Sequence, residues 1–189
     1  DDVESRGLGD VYKRQYLHQT YGGDTMQYTC SYSSPLGEML IASDGSAVTG
    51  LWFIGQKYFG STLEAEYAEK ALPVFGQTVR WLDDYFQGNV PMEMPPVSFN
   101  SSSFRIRVWK LLMEIPYGHT VTYGEIARTL EKQTGRRICA QAVGGAVGHN
   151  PVSIIVPCHR VIGSNGLTGY AGGLDKKLAL LRLEGVNVH

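Results

Sequence analysis

The sequence predicts a two-domain α/β protein, in which a small α/β domain precedes a mostly helical domain. Strand-like alternation follows Met26, and apolar residues recur at helical spacing from Phe104 onward. A proline-rich segment separates the two patterns. We expect an amino-terminal domain over residues 26–97, with its linker near 88–97, and a second domain over 98–189.

The first 25 residues are expected to be a non-native leader. Residues 4–15 show neither helical nor strand periodicity and resemble translated adapter sequence. We therefore leave residues 1–25 out of the fold and take Met26 as the natural start.

Strands joined by a turn at 33–35 and a hairpin are expected at the start of the first domain. Residues 28, 30 and 32 alternate with polar neighbours and should share one strand face. A second strand is expected at 39–42, and Asp44-Gly45 predicts a hairpin turn into 48–54. After Gly60 the pattern becomes helical and ends at Gly88. Its apolar stripe consists of Val79, Leu82, Tyr85 and Phe86.

Short helices dominate the expected second domain. Serines 101–103 can cap a helix that continues to Ile115, and residues 122–125 form a capping-box pattern. The box opens a short helix, and a second helix is expected at about 137–147. Two short helices joined by a glycine-containing turn predict a helix-turn-helix. A buried strand at 154–156 and a closing helix through Leu174, Leu178 and Leu181, capped by Gly185, complete the domain.

The composition excludes several classes of protein. Hydrophobic residues are 43% and charged residues 19%, an ordinary globular balance. No stretch approaches the roughly 18 apolar residues of a membrane span, so we expect no membrane partner. The three cysteines are widely spaced and make a poor disulfide framework, which favours the reducing cytoplasm of a bacterial or archaeal cell. The amino-terminal half offers only Cys30 and His18 as soft metal ligands, so we expect no metal, and we expect no cofactor.

Charge is distributed unevenly along the chain. Residues 104–189 carry eleven Lys or Arg against five Asp or Glu, whereas residues 1–103 carry six against thirteen. Only the second half therefore offers a basic surface suited to phosphates, although chance scatter could produce such a difference.

The sequence Pro157-Cys158-His159-Arg160 is the strongest chemical signal. Cysteine is a strong nucleophile as the thiolate, and a free thiol with a pKa of about 8.5 is mostly protonated near neutral pH. A neighbouring base or positive charge activates it, and His159 and Arg160 follow directly. A lone cysteine is more often an inert buried residue, and Cys30 and Cys139 are interpreted in this way.

The segment Asn150–Gly163 around Cys158 resembles the active-site segment of the O6-alkylguanine-DNA alkyltransferases, the methylated-DNA–protein-cysteine methyltransferase family. The resemblance covers Phe104–Gly185 and, more weakly, the strands of Met26–Gly60. It includes the motifs Val121–Tyr123, Ala142–Ala146, Gly169–Gly173 and Leu183–Gly185.

This resemblance implies a fold, a reaction and a role for each matching residue. The first domain would be ribonuclease-H-like, and Cys158 would accept an alkyl group irreversibly, in a single turnover. His159 would act as its base through a water molecule, and Glu184 would orient that histidine. Asn150 would brace the active-site turn, and Tyr123 and Tyr170 would donate hydrogen bonds to the base. Further contacts to the base or the DNA are implied for Arg160 and Ala171, and Lys177 would be a lysine close to the base.

The resemblance also implies that the partner is double-stranded DNA containing alkylated guanine. The target base must be flipped out of the duplex to reach a thiol. The second helix of the helix-turn-helix would enter the minor groove, where small residues such as Ala140 and Gly144 permit close approach. We expect a monomer that binds phosphates more weakly as salt rises.

Three positions depart from the family pattern. Gln141 stands where the family usually has an arginine that enters the duplex in place of the flipped base. We expect this substitution to slow base extrusion or shift the substrate range, with partial compensation from Arg136 or Arg137. Ala171 replaces a serine of some relatives, and the turn 131–137 is longer than in many.

Three other functions were weighed. An alkyltransferase-like damage sensor would lack the acceptor cysteine that Cys158 supplies. A thiol hydrolase would ordinarily have its histidine distant in sequence, and no oxyanion-hole motif is visible. A helix-turn-helix transcription factor would leave Pro157–Arg160 without a role.

Overall fold

The structure is a computed structural model that describes residues 26–188. The proposed leader, residues 1–25, lies outside the described residues. The strands are β1 (Gln27–Ser34), β2 (Gly37–Ser43), β3 (Val48–Phe53), β4 (Tyr67–Glu69), β5 (Val121–Thr122) and β6 (Val161–Ile162). The helices are α1 (Pro73–Phe86), α2 (Ser103–Met113), α3 (Tyr123–Thr134), α4 (Ala140–Gly148) and α5 (Leu174–Leu183), and a 3₁₀ turn spans Cys158–Arg160.

The first half forms a four-stranded sheet in the order β3-β2-β1-β4, with α1 packed against it. The expected hairpin at Asp44-Gly45 is confirmed, because β2 and β3 are antiparallel, and β1 and β2 form a second antiparallel pair. Asp44 Oδ1 accepts the backbone N–H groups of Ser46 and Ala47 at 2.9 Å each, which fixes the second turn locally.

The helix expected directly after Gly60 is wrong in its start. Residues 61–72 are turns and irregular structure around β4, which pairs in parallel with β1. Helix α1 begins at Pro73, whose fixed φ and missing N–H suit the first position of a helix. Leu82 and Tyr85 of the expected stripe are fully buried.

The second half contains the expected short helices. Ser102 Oγ caps α2, and the capping box of Thr122 and Glu125 opens α3. Helix α3 ends at Gly135, whose φ of 67° is left-handed. Helix α4 begins at Ala140, three residues later than expected, because the intervening turn is held by a hydrogen bond from Ile138 N to Glu131 Oε1. Helices α3 and α4 pack together as a helix-turn-helix pair.

The strand expected at 154–156 is wrong. This segment is a series of buried turns, and Ile154 has a φ of 69°. The residues just before this segment pair with β3: Leu51 N donates to Pro151 O at 2.8 Å, and Ser153 N donates to Leu51 O at 2.9 Å. The segment that precedes Cys158 is therefore hydrogen-bonded to the sheet of the first half.

One hydrophobic cluster runs through both halves. Leu51 and Phe53 from the sheet, Leu82 from α1, and Val108 and Leu112 from α2 belong to it. Within residues 26–188, no helix has the length and apolar character needed to cross a bilayer. The expected boundary near residue 97 stays a prediction, although Val97 pairs with Val48 of β3.

Candidate active site

Asn150 shapes the turn that carries Cys158. Its Nδ2 donates to Val156 O at 2.8 Å and to Val152 O at 3.3 Å, while its Oδ1 accepts from Val152 N at 3.0 Å. A single buried side chain thus ties together both ends of the turn. Pro157 follows, and Cys158 begins the 3₁₀ turn.

The Cys158 thiol is buried, with 6% of the residue exposed. Burial raises its pKa, and the Asn150 side chain, the Lys177 ammonium and nearby backbone amides oppose that effect. The net pKa is above the ordinary value. The thiol therefore needs a partner that takes its proton before it can act as a nucleophile.

His159 is placed to take a proton. Its Nε2 lies 2.6 Å from Glu184 Oε1, and both side chains are fully buried. A carboxylate only accepts hydrogen bonds, so Nε2 carries the proton and neutral His159 has its lone pair on Nδ1. Nδ1 is buried and has no hydrogen-bond partner. Burial lowers the pKa of His159, partly offset by Glu184, which favours the neutral form.

Glu184 is held as a carboxylate by several donors. Arg160 Nε donates to its Oε2 at 2.8 Å and Arg160 Nη2 to its Oε1 at 3.0 Å, while Gly118 N donates to Oε2 at 3.1 Å. Burial raises the pKa of this carboxyl, but the hydrogen bonds from His159 and Arg160 outweigh burial and lower the pKa to about 2. Glu184 therefore stays ionised beside His159.

Arg160, for which the resemblance implies a base or DNA contact, is turned into the protein in this structure. Its side chain is 10% exposed, and besides Glu184 it donates from Nη1 to Ile115 O at 2.7 Å. The guanidinium group donates two hydrogen bonds to the two oxygens of one carboxylate, and it points into the protein. Arg160 neutralises Glu184 rather than a phosphate.

Lys177, which the resemblance places near the base, is also turned into the protein. Lys177 is completely buried, and its Nζ donates to the carbonyl oxygens of Val161, Thr168 and Gly169 at 2.5, 2.7 and 3.1 Å. Burial lowers its pKa to about 8, and Cys158 opposes that effect. Lys177 thus fastens the segment after Cys158 and places a positive charge near the thiol.

A cavity of about 320 Å³ opens onto Cys158. It brings together Tyr123, Gly144, Tyr170 and Ala171, which the sequence had placed near the base. The Tyr170 hydroxyl is buried without a hydrogen-bond partner, so it can donate to a molecule in the cavity. A Cβ at Gly144 would lie 3.8 Å from the Tyr123 ring, in ordinary contact.

Ala140 and Gln141, predicted to contact DNA, do not line this cavity, whereas Lys57, Tyr58 and Tyr85 lie near the site without having been predicted. Ala140 and Gln141 are exposed at the beginning of α4. Lys57 and Tyr58, from the first half, line the cavity, and Tyr58 stacks on His149 with ring centroids 4.0 Å apart. Tyr85 of α1 donates to Glu184 Oε1 at 2.7 Å, a contact for which the sequence carried no signal beyond an apolar helical stripe.

No metal centre accompanies this site within the part of the chain that the structure describes. There, no group of three or more His, Cys, Asp or Glu side chains could hold a metal ion. The polar side chains that line the cavity are those of Cys158, Tyr123, Tyr170, Tyr58, Lys57 and His149.

Both halves of the chain match known domains. Residues 27–95 match the ribonuclease-like domain of 6-O-methylguanine DNA methyltransferase, and residues 103–186 match its DNA-binding domain. The fold and the site therefore define a two-domain, DNA-binding protein with a buried thiol next to a histidine–carboxylate pair.

Similar proteins and structures narrow this class. Proteins named methylated-DNA–protein-cysteine methyltransferase are similar: that of Mycobacterium bovis is 45% identical over 80% of this chain and 88% of its own length. That of Haemophilus influenzae is 40% identical over 85% and 87%. A crystal structure of the Mycobacterium tuberculosis O6-methylguanine methyltransferase superposes with a TM-score of 0.72 at 41% identity, covering 84% of this chain and 93% of that one. The chain belongs to the 6-O-methylguanine DNA methyltransferase family.

Replacing the buried carboxylate tests the network for stability. Glu184→Gln leaves Arg160 buried without a counter-charge, so we expect the free energy of unfolding at neutral pH to fall by about 3 kcal/mol. Glu184 has a lower pKa when folded, so its contribution is complete above pH 4.5 and is lost as the pH falls toward 2. Denaturant titrations of wild type and variant should therefore converge in acid.

Glu93→Gln is the control, because Glu93 is exposed in the proline-rich segment. It should change stability little at any pH. If Glu184→Gln is as stable as wild type at neutral pH, Glu184 is not the centre of the hydrogen-bond network with His159 and Arg160.

Proposed function

We propose that this protein repairs DNA by moving an alkyl group from O6 of guanine, or from O4 of thymine, onto Cys158 Sγ. The observation that carries this proposal is a buried thiol on a cavity, followed directly by a histidine whose free Nδ1 can accept a proton. Membership of the 6-O-methylguanine DNA methyltransferase family supports it.

The reaction is a single displacement at the alkyl carbon. Neutral His159 takes the thiol proton on Nδ1, through a bridging water, and Glu184 stabilises the imidazolium through Nε2. The thiolate forms an S–C bond as the C–O bond breaks, and the electron pair stays with the guanine. The His159 imidazolium then gives this proton to the guanine, so that the products are neutral guanine, neutral His159 and a thioether. No step restores the thiol, so each molecule acts once.

Base recognition falls to the tyrosines of the cavity. Burial and nearby charge raise the pKa of Tyr170 well above its ordinary value, and burial likewise raises the pKa of Tyr123. Both hydroxyls therefore stay protonated and can donate hydrogen bonds to a base. Such donation stabilises the negative charge that develops on the leaving guanine.

Duplex DNA is the proposed partner, and the base must leave the stack to reach the buried thiol. The exposed start of α4, with Ala140 and Gln141, would lie in the minor groove. The excess of Lys and Arg over Asp and Glu in residues 104–189 supplies affinity for phosphates. A crystal structure of the similar M. tuberculosis OGT in complex with DNA, at a TM-score of 0.70, supports this partner. The protein acts as a monomer in a reducing cytoplasm, which keeps the thiol free.

Mass spectrometry of the intact protein tests the transfer. After incubation with a duplex that carries O6-methylguanine, we expect wild type to gain the mass of one CH₂ group in a one-to-one reaction. Cys158→Ala should gain nothing, because the acceptor sulfur is gone. Cys30→Ala and Cys139→Ala are controls that should still gain the group. An unchanged wild-type mass, or a gain retained in Cys158→Ala, would contradict the proposal.

Gln141→Arg tests the departure from the family pattern. An arginine at the exposed start of α4 can fill the space of the flipped base and add a charge near the phosphates, so we expect transfer from duplex DNA to become several-fold faster. Transfer from a single-stranded oligonucleotide should change little, because its base needs less extrusion. The measurement is the single-turnover rate on both substrates.

A second charge variant separates local insertion from general attraction. Gln133→Arg adds the same charge at an exposed position of α3 and should leave the ratio of duplex to single-stranded rates unchanged. If Gln141→Arg also leaves that ratio unchanged, Gln141 does not limit base extrusion.

A further inference from the structure

Tyr85 reaches the catalytic pair from the other half of the chain. Its hydroxyl donates to Glu184 Oε1 at 2.7 Å and lies 3.3 Å from His159 Nε2. Tyr85 and Glu184 are separated by 99 positions in sequence. Helix α1, which contains no residue of the cavity, thus places a polar group at the back of the histidine.

The position of this hydroxyl is fixed by its ring. Tyr85 is completely buried; it stacks on Trp81 at a centroid distance of 5.6 Å and meets the edges of Phe86 and Tyr117 at 5.4 and 6.0 Å. Burial and the Glu184 charge raise the pKa of Tyr85, so the phenol remains a donor at every working pH. Rigid packing and a permanent proton make the contact independent of substrate.

Tyr85 shares its acceptor with the base of the reaction. Glu184 Oε1 accepts from Tyr85, from His159 and from Arg160 Nη2, while Oε2 accepts from Arg160 Nε and Gly118 N. Each donor disperses the negative charge of the carboxylate and so weakens its attraction for the others. A donor on the same oxygen as His159 therefore bears directly on how well Glu184 stabilises an imidazolium.

We propose that Tyr85 is a positioning residue, which moderates Glu184 and thereby sets the proton affinity of His159 Nδ1. This inference rests on the proposed alkyl transfer, in which His159 accepts the thiol proton. It assigns the ribonuclease-like domain a part in the chemistry, through one hydroxyl group.

Other groups also affect the pKa of His159, and they must stay unchanged when Tyr85→Phe is compared with wild type. Glu184 raises this pKa, whereas burial, Arg160 and Lys177 lower it. Cys158 is adjacent to His159 in sequence. The guanidinium carbon Cζ of Arg160 lies 5.7 Å from the centroid of the Tyr117 ring. Tyr85→Phe removes one hydrogen bond and leaves every one of these charges and the aromatic packing in place.

The direct test is an NMR titration of the His159 ring in labelled protein. Without the Tyr85 hydroxyl, Glu184 should hold the imidazolium more strongly, and we expect the pKa of His159 to rise by roughly half a unit in Tyr85→Phe. The acidic limb of the methyl-transfer rate should move upward in pH by the same amount. Below that limb, transfer by the variant should be about threefold slower than by wild type, as half a pH unit requires.

Tyr32→Phe is the matched control. Tyr32 is also a buried tyrosine that donates to a carboxylate, Asp83 Oδ1 at 2.9 Å, but Asp83 lies on α1 and has no contact with His159. The Tyr32→Phe variant should lose a comparable free energy of unfolding without changing the pKa of His159. A 3-fluorotyrosine at position 85 is a stronger donor and should lower the pKa of His159.

The outcomes separate this inference from the proposed function. An upward shift confined to Tyr85→Phe, with a downward shift for the fluorinated residue, supports the assignment. An unchanged or lowered His159 titration in Tyr85→Phe overturns it, as does an equal shift in Tyr32→Phe. If wild type takes no methyl group, the proposed function fails, while the titration still decides whether Tyr85 controls His159.

Discussion

The buried carboxylate of Glu184 is the constraint on which the rest of the site depends. An ionised carboxylate in a protein interior costs several kcal/mol unless donors surround it. Here the donors are Arg160, His159, Tyr85 and the backbone amide of Gly118. They come from the 3₁₀ turn, α1 and the loop before β5, while Glu184 itself directly follows α5. One charge therefore fixes the relative placement of segments from both halves of the chain.

That arrangement explains how a buried thiol can serve as a nucleophile. Burial raises the pKa of Cys158 and lowers that of His159, so the resting pair is neutral. A neutral thiol at 6% exposure is poorly accessible to solvent, and an incoming base must enter the cavity to meet it. Glu184 behind His159 and Lys177 near the sulfur stabilise the charges that form when the proton moves.

The sequence predicted what depends on local hydrogen bonds and missed what depends on distant ones. The capping box of Thr122 and the Asp44 turn involve neighbours and were readable. Residues 154–156 read as a strand, because an apolar run cannot distinguish a buried strand from buried turns. The inward hydrogen bonds of Arg160 and Lys177, to Glu184 and to three carbonyls, could not be predicted, because charge usually indicates a surface. Tyr85 read as one apolar position of a stripe, since its hydroxyl partner lies at the other end of the chain.

The pKa of the Cys158 thiol tests most directly whether Glu184 governs the nucleophile. It can be measured by the ultraviolet absorbance of the thiolate in a protein that also carries Cys30→Ser and Cys139→Ser. We expect a higher thiol pKa in Glu184→Gln than in the protein with Glu184, because the imidazolium that balances the thiolate loses its carboxylate. An equal or lower thiol pKa in Glu184→Gln, with both proteins folded, would contradict the claim that Glu184 governs the nucleophile.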